Sequence, residues 1–264
     1  MSILRFAKKK TAGKKISMVT CYDYPSAKMV ANSDIDVVLV GDSVAMVVHG
    51  FDSTLMASMD MMVMHTQAVA RGIQSQFIVA DMPFMAHRGS METTCDNAKR
   101  LIQAGAHAVK IEGADEHTLK VMQHLVSSCI PVMGHIGLQP QAVLNLGGYK
   151  VQGRNESDAQ RLVNEAKALQ EAGCFALVLE CIPEQLAQTI TDNIAIASIG
   201  IGAGRYTDGQ VLVWHDLLGL QKQLLPKFVK QFDVLEPYIV TALNQYHQEV
   251  EQGLFPEAHH VYEQ

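Results

Sequence analysis

Short apolar runs rich in β-branched residues punctuate the chain, and most are followed by a stretch of helical periodicity. Continuous apolar runs, rather than strict alternation, mark parallel strands that are covered on both faces. The runs fall at residues 17–20, 36–40, 77–80, 106–111, 131–134, 174–179 and 195–199, with a weaker eighth at 211–214. Helical periodicity occupies 24–33, 59–75, 93–104, 116–128, 156–171 and 183–191. Gly105 and Gly173 stand where two of these helices should stop, as C-terminal glycines do.

Repeated strand–helix units imply a parallel sheet with helices outside it. Eight such units in 264 residues predict a closed (βα)8 TIM barrel, with an open doubly wound sheet as the alternative. No linker-like stretch divides the chain, so 1–264 reads as one barrel domain with a helical extension from about residue 224. That extension holds a helical pattern at 234–252 and a polar tail from His259. It is expected either to pack on a neighbouring helix or subunit, or to cap the barrel within one chain. The methionines at 56, 59, 61, 62 and 64 are expected mainly to fill a buried helix face.

Composition narrows the function. Nearly half the residues are hydrophobic, which supports a large core. A formal charge of −6 gives no basic face for nucleic acid. The local run Lys8, Lys9, Lys10, Lys14 and Lys15 reads as a solvated N-terminal arm. Five cysteines, none in a C-x-x-C pair, argue for a reducing compartment rather than a disulfide framework or structural zinc. Cys21, Cys174 and Cys181 lie in or beside the apolar runs and should be buried thiols. The opening residues lack the apolar core of a signal peptide, and no stretch approaches the ~20 apolar residues of a membrane span. The expectation is a cytoplasmic protein with no membrane or nucleic-acid partner.

The chemistry lies just after the strands. Asp42 follows the second, Asp81 the third, Glu112 the fourth, His135 the fifth and Glu180 the sixth. In a barrel those carboxyl ends form one face, where active sites are built. A single Asp after a strand is as well explained by helix capping. Several acids at one level repel one another, and a divalent cation is the simplest compensation. Oxygen ligands without clustered Cys or His favour magnesium or manganese over zinc. Lys110, two residues before Glu112, points the same way on a strand. It could hold an anionic substrate or neutralise an acid. His135 could bind substrate, orient a carboxylate or satisfy a buried site. Glu180 ends a very apolar run, where desolvation should favour a general base. The glycines at 200, 202 and 204 are a weak phosphate signal and suit a tight turn, and 147–153 reads as a loop over the active face.

The strings VTCYDYPSAK, LVGDSVAMVVHGFDSTL, ADMPFM, AGAHAVKIEG, GHIGLQPQ, GGYKVQGR, LVLECIP and GIGAGRYTDGQVLVWHD closely resemble the ketopantoate hydroxymethyltransferase family, in consistent order from Thr20 to Asp216. The resemblance implies a (βα)8 barrel of the phosphoenolpyruvate/pyruvate-binding group. It implies transfer of a hydroxymethyl group from 5,10-methylenetetrahydrofolate to 3-methyl-2-oxobutanoate, a magnesium-dependent step of pantothenate and coenzyme A biosynthesis. Carried over by residue, Asp42, Asp81 and Glu112 take the metal positions. Asp42, Ser43, Asp81 and Lys110 contact the oxo acid, Glu180 is the proton acceptor and His135 the site histidine. A homodecamer built as a pentamer of dimers is also implied. His49, Phe51 and Met56 depart from the residue types expected there, and could alter the folate side or helix packing.

Overall fold

The computed structural model describes residues 2–146, 148, 150–221 and 225–263. It forms two compact units, Met1–Val213 and Trp214–Gln264. The first is a closed barrel of eight parallel strands in sequential order, which removes the open-sheet alternative. The strands are β1 Ile16–Thr20, β2 Val37–Val40, β3 Phe77–Asp81, β4 Ala108–Glu112, β5 Val132–Gly137, β6 Ala176–Glu180, β7 Ala197–Ile201 and β8 Gly209–Leu212. β1 pairs with β8, from Ile16 opposite Gly209 onward, and closes the ring.

Helices α1 Ile3–Thr11, α2 Tyr24–Ala31, α3 Val44–Val47, α4 Met59–Gly72, α5 Met91–Gln103 and α6 Glu116–Ser127 run through the first half of the chain. They are followed by α7 Val143–Leu146, α8 Glu156–Glu171 and α9 Glu184–Asn193. Asp23, Ser58, Ser90, Asp115 and Asn155 each accept a first-turn backbone N–H, fixing where α2, α4, α5, α6 and α8 begin. Gly105 and Gly173 follow α5 and α8 in the left-handed region, as their placement predicts (φ 110° and 91°). Strand ends differ from the sequence reading by one to three residues, mostly toward the C-terminus. In β3, β4 and β6 the polar residue taken as following the strand is its last member.

Parity along each strand organises the interior. Val37 and Leu39, Phe77 and Val79, Ala108, Met133, Ala176 and Val178, and Ala197 and Ile199 belong to one buried cluster. Side chains two residues apart share a face. The next inward positions toward the carboxyl ends are therefore Asp81, Lys110, Glu112, His135 and Glu180. One set of alternate residues makes both the apolar floor and the polar site above it.

The basic N-terminal segment is not simply a solvated arm, although Lys8, Lys14 and Lys15 are exposed. It is α1, and it closes the barrel floor. Phe6 is wholly buried, edge-on to Phe77 and Phe175 at centroid distances of 5.5 and 4.9 Å. Lys9 Nζ lies 2.5 Å from Asp36 Oδ2, and Lys10 Nζ 2.8 Å from Asp208 Oδ2. Burial raises the pKa of Asp36, but the hydrogen bond from Lys9 and those from Ser17 outweigh it and hold that carboxyl below its ordinary range. The methionine expectation also needs correction. Of the five, Met62 is fully buried, while Met56 and Met64 are 54 % and 53 % exposed. The buried face of α4 is instead completed by His65, Thr66, Val69 and Gly72. Cys21 and Cys174 are buried and Cys181 is partly buried; all five thiols are free.

The second unit contains α10 Trp214–Leu217 and α11 Glu236–Glu251. The expected eighth strand at 211–214 is displaced to β8, and Trp214 opens α10 instead. No residue of α11 is buried, and Tyr238, Leu243 and Tyr246 are each more than half exposed.

Truncating Phe6 to Ala should remove the floor's keystone. Loss of a buried Phe side chain costs about 3–5 kcal/mol, to be read from urea unfolding. An unchanged midpoint would mean that α1 contributes nothing to barrel stability.

Candidate active site

Register brings the polar residues to one level. Asp81 stands opposite Lys110, Glu112 opposite His135, and Gly137 opposite Glu180. Asp42 lies two residues past β2 and joins them because its backbone N–H donates to Asp81 Oδ2 at 3.0 Å. Asp42, Asp81, Lys110, Glu112 and His135 are all at most 4 % exposed. All seven residues singled out in sequence, including Ser43 and Glu180, lie at the carboxyl ends of β2 to β6. The capping alternative does not describe Asp42, whose carboxylate accepts from Gln141 Nε2 at 2.8 Å.

Lys110 sits between the acids. Its Nζ is 3.2 Å from Asp81 Oδ1 and 3.7 Å from Glu112 Oε1. Burial lowers its pKa, but Asp81, Glu112 and Asp42 more than reverse that, so the ammonium is held charged above its ordinary range. Burial raises Asp42 well above its ordinary value, and the charges of Asp81 and Glu112 push it further. Asp81 is also raised by burial, although Lys110 opposes the shift. Burial acts the same way on Glu112, but His135 and Lys110 overcome it and the net shift is downward. Two of three carboxylates therefore resist ionisation where one lysine has to serve them all.

His135 links this cluster to Glu180. Its Nδ1 is 3.4 Å from Glu112 Oε1 and its Nε2 3.3 Å from Glu180 Oε2. Nδ1 also lies 3.1 Å from Lys110 Nζ, so it either accepts from the ammonium or offers a proton to Glu112, not both. Burial and Lys110 oppose protonation of the ring, but Glu112 and Glu180 prevail and push its pKa up to about 9. Glu180 is the least enclosed of the acids, its side chain 15 % exposed against 2–5 % for His135, Asp81, Glu112 and Lys110. The apolar run that ends at Glu180 thus leaves it more open than the other three acids.

Two supports were not legible in the sequence. Gln141 bridges three strand ends: its side chain donates to Asp42 and to the Met82 carbonyl, and its backbone N–H donates to Glu112 Oε2 at 3.1 Å. Tyr22, fully buried, places its phenol 2.8 Å from Ser43 Oγ. Both lie in strings that resemble the family, GHIGLQPQ and VTCYDYPSAK, but no residue-type rule picks them out. Glycine at 137 is required by close approach. It has φ 96°, and a Cβ there would meet the Glu180 carbonyl oxygen at 2.2 Å.

The donor set suits a hard divalent cation. It is oxygen-only and buried, and its three carboxylates share the ammonium of Lys110. The carboxylates are held apart by Lys110 and Gln141. Among the described residues, only the exposed Glu257, His259 and His260 bring three ligand atoms within 4.8 Å of one another. His49 Nε2 lies 2.8 Å from His65 Nε2, which ties that departure to α4, whereas Phe51 and Met56 are 40 % and 54 % exposed. In the expected active-face loop, Gly147 and Tyr149 lie outside the described residues.

In the metal-free protein, the stability that His135 contributes is present below about 6.5 and lost as pH rises through about 9. Glu112→Gln removes an attracting charge, so the His135 pKa should fall by roughly one unit or more, about 1.4 kcal/mol per unit. NMR titration of the ring carbons measures it; an unmoved pKa would sink the pairing.

The sequence model of the ketopantoate hydroxymethyltransferase family matches residues 1–258. The chain is 58 % identical over 262 residues to 3-methyl-2-oxobutanoate hydroxymethyltransferase of Legionella pneumophila strain Corby, covering 99 % of this chain and 100 % of that one. It is 51 % identical over 251 residues to the enzyme of the same name from Coxiella burnetii strain RSA 493, covering 95 % and 94 %. Solved structures share the fold at low identity. Phosphonopyruvate hydrolase in complex with oxalate and magnesium matches with a TM-score of 0.64 and 11 % identity, covering 100 % of this chain and 92 % of that one. The 2,3-dimethylmalate lyase of the PEP mutase/isocitrate lyase superfamily matches at 0.60 and 14 %, covering 96 % and 88 %. With one family's sequence model spanning the barrel and nearly all that follows it, and relatives aligned end to end at half their residues or better, the chain belongs to the ketopantoate hydroxymethyltransferase family.

Proposed function

We propose that the chain transfers a hydroxymethyl group from 5,10-methylenetetrahydrofolate to 3-methyl-2-oxobutanoate, giving ketopantoate, with the strand-end cluster as its active site. Membership of the family carries the reaction. The observation that carries the assignment of roles is the separation of Glu180 from the other acids. Among the described residues its carboxylate is paired with neither Lys110 nor Gln141 and meets His135 across 3.3 Å.

Asp42, Asp81 and Glu112 would hold magnesium, which fits buried oxygen donors that Lys110 does not fully balance. A structural neighbour crystallised with oxalate and magnesium supports a pairing of the metal with a small carboxylate ligand. When bound, the ion would polarise the keto group and neutralise the acids. Glu180 takes the proton from C3, the carbon that must become nucleophilic. His135 holds that carboxylate in place, and a proton on its ring is favoured by the charge of Glu180 itself. Lys110, kept charged by the acids, faces the oxygen that gains negative charge as the C3 proton leaves. Ser43, fixed by the Tyr22 phenol, and Asp42 complete the seat of the oxo acid. The C3 carbon forms its bond to the methylene carbon as one of that carbon's two bonds to folate nitrogen breaks; water then adds its hydroxyl as the second breaks, and the protons from C3 and from water end on the two freed nitrogens of tetrahydrofolate.

The same reading places the enzyme in the cytoplasm. No described helix is long and apolar enough to cross a membrane, and free thiols suit a reducing compartment. A homodecamer, as the family resemblance implies, gives the exposed apolar side chains of α11 a place to be covered.

Protein supplied with magnesium, 3-methyl-2-oxobutanoate and methylenetetrahydrofolate should yield ketopantoate, and chelation should abolish the yield until magnesium is returned. Product formation that survives chelation removes the metal assignment. Glu180→Gln should still bind the oxo acid while deuterium exchange at C3 falls by roughly 10²–10⁴-fold, the usual worth of a general base. Rapid exchange in that variant would move the base elsewhere.

A further inference from the structure

One buried group takes no part in the chemistry above. His87 follows β3 by six residues and is 3 % exposed, yet neither ring nitrogen has a hydrogen-bond partner among the described residues. A buried imidazole with nothing to bond is rare in a folded protein and calls for a ligand or water. It lines a cavity of about 420 Å³, within the roughly 300–1,000 Å³ typical of small-molecule sites.

The other walls define what could enter. Phe84 and Met85 contribute apolar surface, although each is about half exposed (45 % and 55 %). Met85 holds φ 62°, a left-handed conformation uncommon outside glycine, within the turn closed by the Ala86 N–H donating to the Pro83 carbonyl. Gln139 adds an amide and Glu112 a carboxylate edge. Arg88, the cationic side chain on the lining, is already bound through both guanidinium nitrogens to Asp115 at 2.9 and 2.7 Å. Such a cavity offers no uncommitted positive charge to an acid. It offers apolar faces and neutral hydrogen-bonding edges to a flat heterocycle. Glu112 and Gln141 belong both to this lining and to the carboxylate cluster, so an occupant lies beside the oxo acid.

We propose that this cavity seats the reduced pterin ring of the one-carbon donor, with His87 as its hydrogen-bonding contact. The inference rests on the folate-dependent reaction proposed above and adds where the folate binds. The oxo acid takes the charged cluster. The donor enters between the loops that follow β3 and β5, which brings its methylene carbon toward C3.

Two variants test it on the magnesium-loaded protein. His87→Phe keeps a ring and removes both nitrogens, and Ala142→Phe, on the same lining, fills the space without touching His87. Each should raise KM for methylenetetrahydrofolate tenfold or more, with KM for the oxo acid within twofold. Deuterium exchange at C3 without folate should continue in both, showing that the charged cluster is intact. A folate KM within twofold of the parent in Ala142→Phe overturns the proposal, whether or not His87→Phe folds. A raised KM for the oxo acid alone gives the cavity to that substrate instead. If the parent makes no ketopantoate, the reaction assignment fails, and equilibrium dialysis with tetrahydrofolate still decides the site. Binding to the parent that Ala142→Phe loses supports the cavity as the seat, and equal binding or none overturns it.

Discussion

Three carboxylates share one lysine in a space that water scarcely reaches, and the upper half of the barrel is arranged around that imbalance. Each buried charge loses hydration worth several kcal/mol, which only close partners return. Lys110 is drawn to Asp81 and Glu112. Gln141 spends its side chain on Asp42 and its backbone N–H on Glu112. Even so, Asp42 and Asp81 are pushed toward the neutral form. A site in that condition is stabilised by whatever brings further positive charge. A divalent cation would be one such source.

The barrel supplies this arrangement through the same alternation that builds its core. Below, inward positions are filled by Val, Ile, Ala, Met and Phe, with Phe6 of α1 closing the floor. Above, the next inward positions are charged. Stability and function are thus separated by height along single strands: β3 passes from Phe77 and Val79 to Asp81, and β6 from Ala176 and Val178 to Glu180. Apolar packing below holds strand register within narrow limits, and register in turn sets Glu112 opposite His135 and Gly137 opposite Glu180. The Gly137 position shows how tight the tolerance is, since one added carbon would collide with the Glu180 backbone.

What the sequence revealed follows from the strength of each signal. Buried parallel strands announce themselves as apolar runs, so the eight strands and the acids at their ends were legible. Their ends were misplaced because Asp81, Glu112 and Glu180 look like loop residues and are in fact the last strand positions. Helix α1 was missed because a single aromatic, Phe6, does the packing, while lysines that bind Asp36 and Asp208 read as solvated charge. The methionine run of α4 misled in the opposite sense, for only Met62 turns fully inward. Gln141, Tyr22 and His87 carry no pattern of their own. Neutral polar residues acquire meaning only when the fold shows what they touch or, for His87, what they do not. Position alone also could not tell Glu180 from the other acids; the resemblance did, and the physical basis we propose for that division lies in their contacts.

That basis is a difference in freedom. A carboxylate that serves as an anchor must stay ionised and fixed, and a cation or lysine at bonding distance does both. A carboxylate that serves as a base must accept a proton and release it again within each turnover, so a tight ionic partner works against it. Lys110 fixes Asp81 and Glu112 in place and Gln141 fixes Asp42, while Asp42 and Asp81 need further positive charge to stay ionised. In the proposed mechanism Glu180 meets the second requirement. Its neighbour is an imidazole, which can lose or regain its own proton as the carboxylate changes charge, and its edge is open enough to meet a substrate carbon. Placing His135 between Glu112 and Glu180 separates the anchored charges from the exchangeable one. The barrel achieves this with one residue from each of β4, β5 and β6.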